Sequence, residues 1–167
     1  MKVIGIAGWS GSGKTTLVTR LLPELVGRGL SVSTVKHAHH EFDIDHPGKD
    51  SYQHRVAGAT EVLVSSARRR ALIRELRGET EAGLDELLAM LSPVDLVLVE
   101  GFKRAGHDKI EVRRAAAATP PLYPDDPHVV AIASDQPIAD AGRPVLALAD
   151  TAAIADFILA HCGLAAR

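Results

Sequence analysis

The chain of 167 residues has one cysteine, Cys162, so no intrachain disulfide can form. Its apolar surroundings predict a packed thiol, and the lack of disulfides fits a reducing compartment. No apolar run approaches the ~20 residues that a spanning helix needs. The opening VIGIAG is too short for a signal peptide's hydrophobic region and has no cleavage site after it, so the expected location is cytoplasmic, with no membrane partner. Neither sign of charge dominates, with 19 basic against 21 acidic residues and a formal charge of -2. That balance gives no general attraction to nucleic acid, so any anion site must be local. With 46% hydrophobic and 24% charged residues, the composition is that of a globular domain, and the length predicts one domain over 1–167.

The first twenty-eight residues carry the sharpest signal. Val3 to Ala7 reads as a buried strand, GWSGSGKT follows at 8–15, and apolar residues recur at helical spacing from Lys14 to Arg28. This is the order and pattern of a P-loop, or Walker A motif, G-x-x-x-x-G-K-[ST]. Gly8, Ser10, Gly11, Ser12 and Gly13 are expected to turn backbone N–H groups onto phosphate oxygens at the positive end of a helix, with Lys14, Thr15 and Thr16 completing the nucleotide site. Lys14 should reach the β- and γ-phosphates, and the Thr15 hydroxyl should ligate Mg²⁺. Pro23 predicts a kink near Thr19 or an early helix end. Trp9, the sole tryptophan, reads as a packed or interface side chain, with base stacking as the alternative.

Further strands are expected at SVSTVK, TEVLVSS, RRRALIREL, DLVLVEG, HVVAIAS and PVLAL. Helices are expected over Asp50 to Ala57, Leu84 to Leu91 and TAAIADFILAHCG, the last capped by Asp150 or Thr151. RRAAAATPPLYPDDP reads as a surface excursion. Alternating strands and helices predict an α/β fold of P-loop NTPase type, a mostly parallel twisted sheet with helices on both faces. DLVLVEG has the character of a central strand, which puts Glu100 at an end beside the phosphate loop as the second metal group; capping or loop anchoring is the alternative.

Between Lys36 and Lys49 the periodicity stops in KHAHHEFDIDHPGK. Three readings stay open for His37, His39, His40, His46 and the acids among them: a transition-metal site, a solvated loop, or a loop that contacts nucleotide or a partner, chiefly through His37, His39, His40 and Asp45. Lys36 and Lys49 would add charge for phosphates.

GWSGSGKTTL, then KHAHHEFDIDHPGKDSYQHRVAGA, then DLVLVEGFK together resemble the MobB family of molybdopterin-guanine dinucleotide biosynthesis proteins over the first two-thirds of the chain. The resemblance implies a homodimeric GTP-binding accessory protein with weak Mg²⁺-dependent GTPase activity. Its partner would be a MobA-type guanylyltransferase, which attaches GMP to molybdopterin. Molybdopterin is a further candidate ligand, with Arg68, Arg69 and Arg70 as candidate phosphate contacts against a solvated strand face. The usual guanine-reading N-K-x-D is replaced by AIASD, which leaves Asp135 for the base or for a strand-end turn and leaves GTP against ATP open. No water-orienting glutamine is evident, and His39 and Lys103 are weak substitutes. The other classes weighed are a nickel-insertion GTPase, suggested by the histidines, and a small-molecule kinase with Arg68 to Arg70 or Arg113 and Arg114 as a phosphate clamp.

Overall fold

The computed structural model describes residues 1–38 and 42–167, and the chain divides into two compact units, residues 1–37 with 84–167 and residues 38–83. His39 and His40 lie outside the described residues, as does Glu41.

The larger unit contains β1 (Lys2–Ala7), α1 (Lys14–Gly27), β2 (Val32–Lys36), α3 (Leu84–Ala89), β5 (Leu96–Glu100), β6 (Lys109–Arg113), β7 (Val129–Ser134), β8 (Val145–Ala147) and α4 (Thr151–Cys162). Its six strands run in the order β2-β5-β1-β6-β7-β8, and every pairing is parallel. The central strands are apolar on both sides, and the pleat sorts them. Ile4, Ile6, Leu96 and Leu98 pack with Leu17, Leu21 and Leu25 of α1 and Ile154 and Ile158 of α4, whereas Val35, Val97 and Val99 pack on the opposite face with Leu84, Leu87 and Leu88 of α3. Helices therefore cover both faces, and the glycine loop joins the carboxyl end of β1 to α1. This is the P-loop NTPase architecture.

Helix α1 runs through Pro23 to Gly27 with no early end. Proline removes the donor to the Thr19 carbonyl, but Thr19 is exposed to water, so the loss is tolerated. Gly29, at φ 85°, closes the helix with bonds from Gly29 N to Val26 O and from Leu30 N to Leu25 O. Of the two residues expected to cap α4, Asp150 does so, its carboxylate accepting from Ala153 N at 3.0 Å.

β6 corrects the sequence reading, which assigned no strand to KIEVR. Lys109 and Glu111 alternate with Ile110 and Val112, so the segment lacks the continuous apolar run of a buried parallel strand; yet both charged residues are fully buried. Over β6, loops carrying backbone polar groups cover the sheet on the face of these two side chains. Lys109 Nζ donates to Ala105 O and Asp126 Oδ2, both at 2.8 Å, and the Glu111 carboxylate accepts from Leu122 N, Tyr123 N and Arg113 Nη1. The charges are buried because they satisfy the loops above them. Part of RRAAAATPPLYPDDP is thus an anchored cover.

The smaller unit holds α2 (Asp50–Val56) and an antiparallel hairpin of β3 (Glu61–Ser65) and β4 (Arg70–Arg74). Arg55 ties it together, pairing with Glu75 at 2.7 Å and Asp43 at 2.6 Å. Val62 faces inward, whereas Leu63 and Leu72, directly opposite each other, are exposed. No described helix is long and apolar enough to cross a membrane.

Candidate functional site

The loop after β1 is held by contacts that leave little freedom. Gly8 has φ 142°, and a Cβ there would meet Val112 O at 2.7 Å; Gly11 and Gly13 also take positive φ. Gly13 is the N-cap of α1, with no side chain competing for the helix's first N–H groups. Ser12 is buried and its hydroxyl has no hydrogen-bond partner among the described residues. Ser10 and Thr16 are exposed on either side of this turn. Lys14 folds back across the loop, its Nζ donating to Gly8 O at 2.9 Å and Trp9 O at 2.8 Å. Burial pushes the Lys14 pKa down against the pull of Glu100, with Lys103 and Lys36 adding to the depression. A polyanion entering here would meet a cation that burial has left short of negative charge.

The pleat explains how Glu100 arrives. In β5 it has the same parity as Leu96 and Leu98, so its side chain lies on the α1 face, where the first turn of the helix presents Thr15. Thr15 Oγ1 donates to Glu100 Oε1 at 2.6 Å, and the carboxylate side chain is only 11% exposed. Lys36 stands in register with Glu100 on the neighbouring strand, its Nζ 3.4 Å from Oε1 and 3.5 Å from Thr15 Oγ1. A hydroxyl and a carboxylate touching at a helix N-terminus are hard oxygen donors of the kind Mg²⁺ takes.

Asp135 follows β7, two strands from β1. Its Oδ1 accepts from Ala115 N at 2.9 Å, and it lines a cleft of about 230 Å³ with Arg20, Arg114, Ser134 and residues 147–149. Arg114 connects this cleft to the loop by donating from Nε to Ser12 O at 3.2 Å. The sequence reading weighed Arg114 as a kinase clamp against a solvated strand face or edge protection. Its place beside the loop follows from β6, the strand not expected. Trp9 is anchored through Nε1 to Pro120 O at 2.8 Å, and Lys103 Nζ lies 3.7 Å from its ring centroid.

The described part of the histidine loop divides between the two units. His37 N donates to Glu100 O at 2.9 Å and its ring lies 4.6 Å from that of Phe102, which places it at the carboxyl end of β2. Asp45 belongs to the smaller unit, where it accepts from Ser51 Oγ and His46 N and faces Arg55 at 3.7 Å. Arg68, Arg69 and Arg70 sit at the exposed turn of the hairpin. Among the described residues no group of three or more His, Cys, Asp or Glu is placed to hold a metal ion.

Comparison with known proteins agrees with this geometry. The family model for molybdopterin guanine dinucleotide synthesis protein B, MobB, matches residues 3–135. The molybdopterin-guanine dinucleotide biosynthesis adapter protein of Escherichia coli (strain K12) is 42% identical over 160 residues, covering 94% of this chain and 91% of the relative. The adapter protein of the same description from Haemophilus influenzae is 40% identical, covering 93% and 86%. A crystal structure of molybdopterin-guanine biosynthesis protein B superposes with a TM-score of 0.75 at 32% identity, covering 95% of this chain and 99% of that one. The crystal structure of Bacillus subtilis MobB gives 0.75 at 26% identity, covering 97% and 98%. With a family match over most of its length and relatives aligned nearly end to end, the chain belongs to the MobB family.

Proposed function

We propose that the chain is a GTP-binding adaptor of molybdopterin guanine dinucleotide biosynthesis, assisting a MobA-type guanylyltransferase and hydrolysing GTP weakly with Mg²⁺. The observation that carries the nucleotide reading is the Thr15–Glu100 contact of 2.6 Å beside a loop whose lysine bridges two of its own carbonyls. Lys14 would hold the β- and γ-phosphates, and Gly8, Ser10, Gly11, Ser12, Gly13 and Thr16 would supply the surrounding amides. Thr15 and Glu100 would hold Mg²⁺, which when bound neutralises charge developing on the phosphates. The purine falls to the cleft beside Asp135, whose carboxylate suits the two donors on the guanine edge. The adaptor role is supported by the names of the relatives at 40–42% identity. A homodimer is supported by the apolar pair Leu63 and Leu72, 66% and 58% exposed on one face of the hairpin.

Titration with GTP and ATP, with and without Mg²⁺, followed by Trp9 emission, tests site, base and metal together. Trp9 reports because its carbonyl accepts from Lys14 and its ring carries Lys103. Saturable quenching or enhancement by GTP, weaker with ATP and dependent on Mg²⁺, is expected. Failure of well-folded protein to retain any purine triphosphate in equilibrium dialysis would overturn the reading.

A further inference from the structure

Lys36 has a place that phosphate binding alone does not explain. Its ammonium reaches both oxygens of the candidate metal pair, Glu100 Oε1 at 3.4 Å and Thr15 Oγ1 at 3.5 Å, so it stands where a divalent cation would need to approach. The arrangement is built in by the sheet. Lys36 and Glu100 are register partners at the carboxyl ends of adjacent parallel strands, and equal parity puts both side chains on the α1 face. Glu100 is nearly buried, and a buried carboxylate beside a phosphate loop is costly without a cation to balance it. Lys36 supplies it by direct ion pairing, and Lys14 adds its charge from the loop. The Lys36 side chain is 58% exposed and flexible, so it can leave at little cost.

We propose that Lys36 is a tethered stand-in for the metal. It holds Glu100 and Thr15 in the nucleotide-free protein, yields them when a Mg²⁺-nucleotide enters, and then turns its ammonium to the terminal phosphate. A divalent cation held by Thr15 Oγ1 and Glu100 Oε1 would repel the ammonium that reaches the same two oxygens, which favours its withdrawal from Glu100. Lys14 feels both Lys103 and Lys36 as like charges, so a displaced Lys36 gains by meeting the added negative charge of the ligand. A triphosphate carries more of that charge at its far end than a diphosphate. Lys36 thereby does two things: it suppresses metal binding before nucleotide arrives, and it makes the loaded state favour triphosphate over diphosphate.

The inference rests on the loop being a Mg²⁺-nucleotide site, and the test separates the two. Nucleotide-free wild type, Lys36→Met and Lys36→Arg are titrated with Mn²⁺, reading free ion by its electron paramagnetic resonance signal. GTP and GDP affinities are then measured with Mg²⁺ present. Lys36→Met is expected to bind Mn²⁺ about tenfold more tightly than wild type and to lose about tenfold in GTP affinity with GDP nearly unchanged, because a half-exposed ammonium contributes on this scale. Lys36→Arg, which keeps the charge, should stay near wild type in both. Unchanged Mn²⁺ affinity in Lys36→Met, or equal losses for GTP and GDP, would overturn the inference while leaving the nucleotide site standing. Wild type that binds neither nucleotide would remove the site and the inference together.

Discussion

Arg114 Nε lies 3.0 Å from the point where Gly13 would carry a Cβ, so the residue that opens α1 and the arginine that follows β6 meet with no room between them. Gly13→Ala therefore faces two penalties. The backbone at φ 97° is left-handed, which costs a residue with a Cβ about 1–2 kcal/mol, and Arg114 must give way from Ser12 O. Urea unfolding should show that loss, and dialysis should show weakened nucleotide retention. At Gly11, with φ 76° and nothing within 4 Å of a Cβ, alanine should show the backbone penalty alone.

Glu100→Gln keeps an oxygen to accept from Thr15 and removes the charge. Nucleotide binding without metal should change little, while the gain in affinity on adding Mg²⁺ should fall by about tenfold or more, the scale of a charge acting in a shielded site. Isothermal titration with and without Mg²⁺ reads the difference; an unaltered metal response would remove Glu100 from the site.

At the amino ends of β6 and β7, Asp126 neutralises Lys109. Burial alone would raise the Asp126 pKa, but the bonds from Lys109 Nζ and His128 N and the lysine's charge together hold it below the ordinary 3.8. A folded carboxyl that is more acidic than the unfolded one adds stability above its ordinary value, and that stability is lost as pH falls through the folded one. Asp126→Asn should cost about 3–5 kcal/mol at neutral pH, the range for stranding a buried ammonium. Its urea midpoint should also decline less than wild type's in strong acid.

His107 is half-buried and, among the described residues, neither ring nitrogen has a hydrogen-bond partner. Burial first, then the charges of Lys109 and His128, push its pKa below 6.5, with Asp108 and Asp126 opposing. The unfolded chain takes up this proton more readily than the folded one, so stability is complete above 6.5 and falls as pH drops below it. His107→Leu should flatten thermal stability against pH just below 6.5, and an unchanged slope would assign that loss to other groups.

Leu72→Arg places charge directly opposite Leu63 on the exposed face of the hairpin. If the proposed homodimer forms through this face, sedimentation should show wild type as dimer and the variant as monomer at the same concentration, with its far-ultraviolet circular dichroism unchanged.

The parts of the molecule legible in the sequence are those where local pattern and global role coincide. Glycine spacing from Gly8 to Gly13, the apolar run ending in Glu100, and the Asp150 cap each carry their conformation in their own residues. KIEVR was unreadable because its charges are satisfied by loops distant in sequence, which no periodicity encodes: Asp126 lies 17 residues from Lys109, and Leu122 lies 11 from Glu111. Lys36 was legible as a positive charge near phosphates, but its pairing with Glu100 depends on β5 inserting between β2 and β1, a matter of strand order. The approach of Arg114 to Ser12 was hidden for the same reason, since it follows from β6 lying next to β1.

The sheet's uniform direction divides the labour of the larger unit. The groups proposed to face a ligand collect where β1, β2, β5 and β7 finish, while Asp126 and His107, whose pKa values the fold lowers, lie beside the starts of β6 and β7. Acid tolerance and the proposed nucleotide binding should therefore be tunable by separate sets of substitutions, so that a hardier version of the protein can be sought at one pole without disturbing the other.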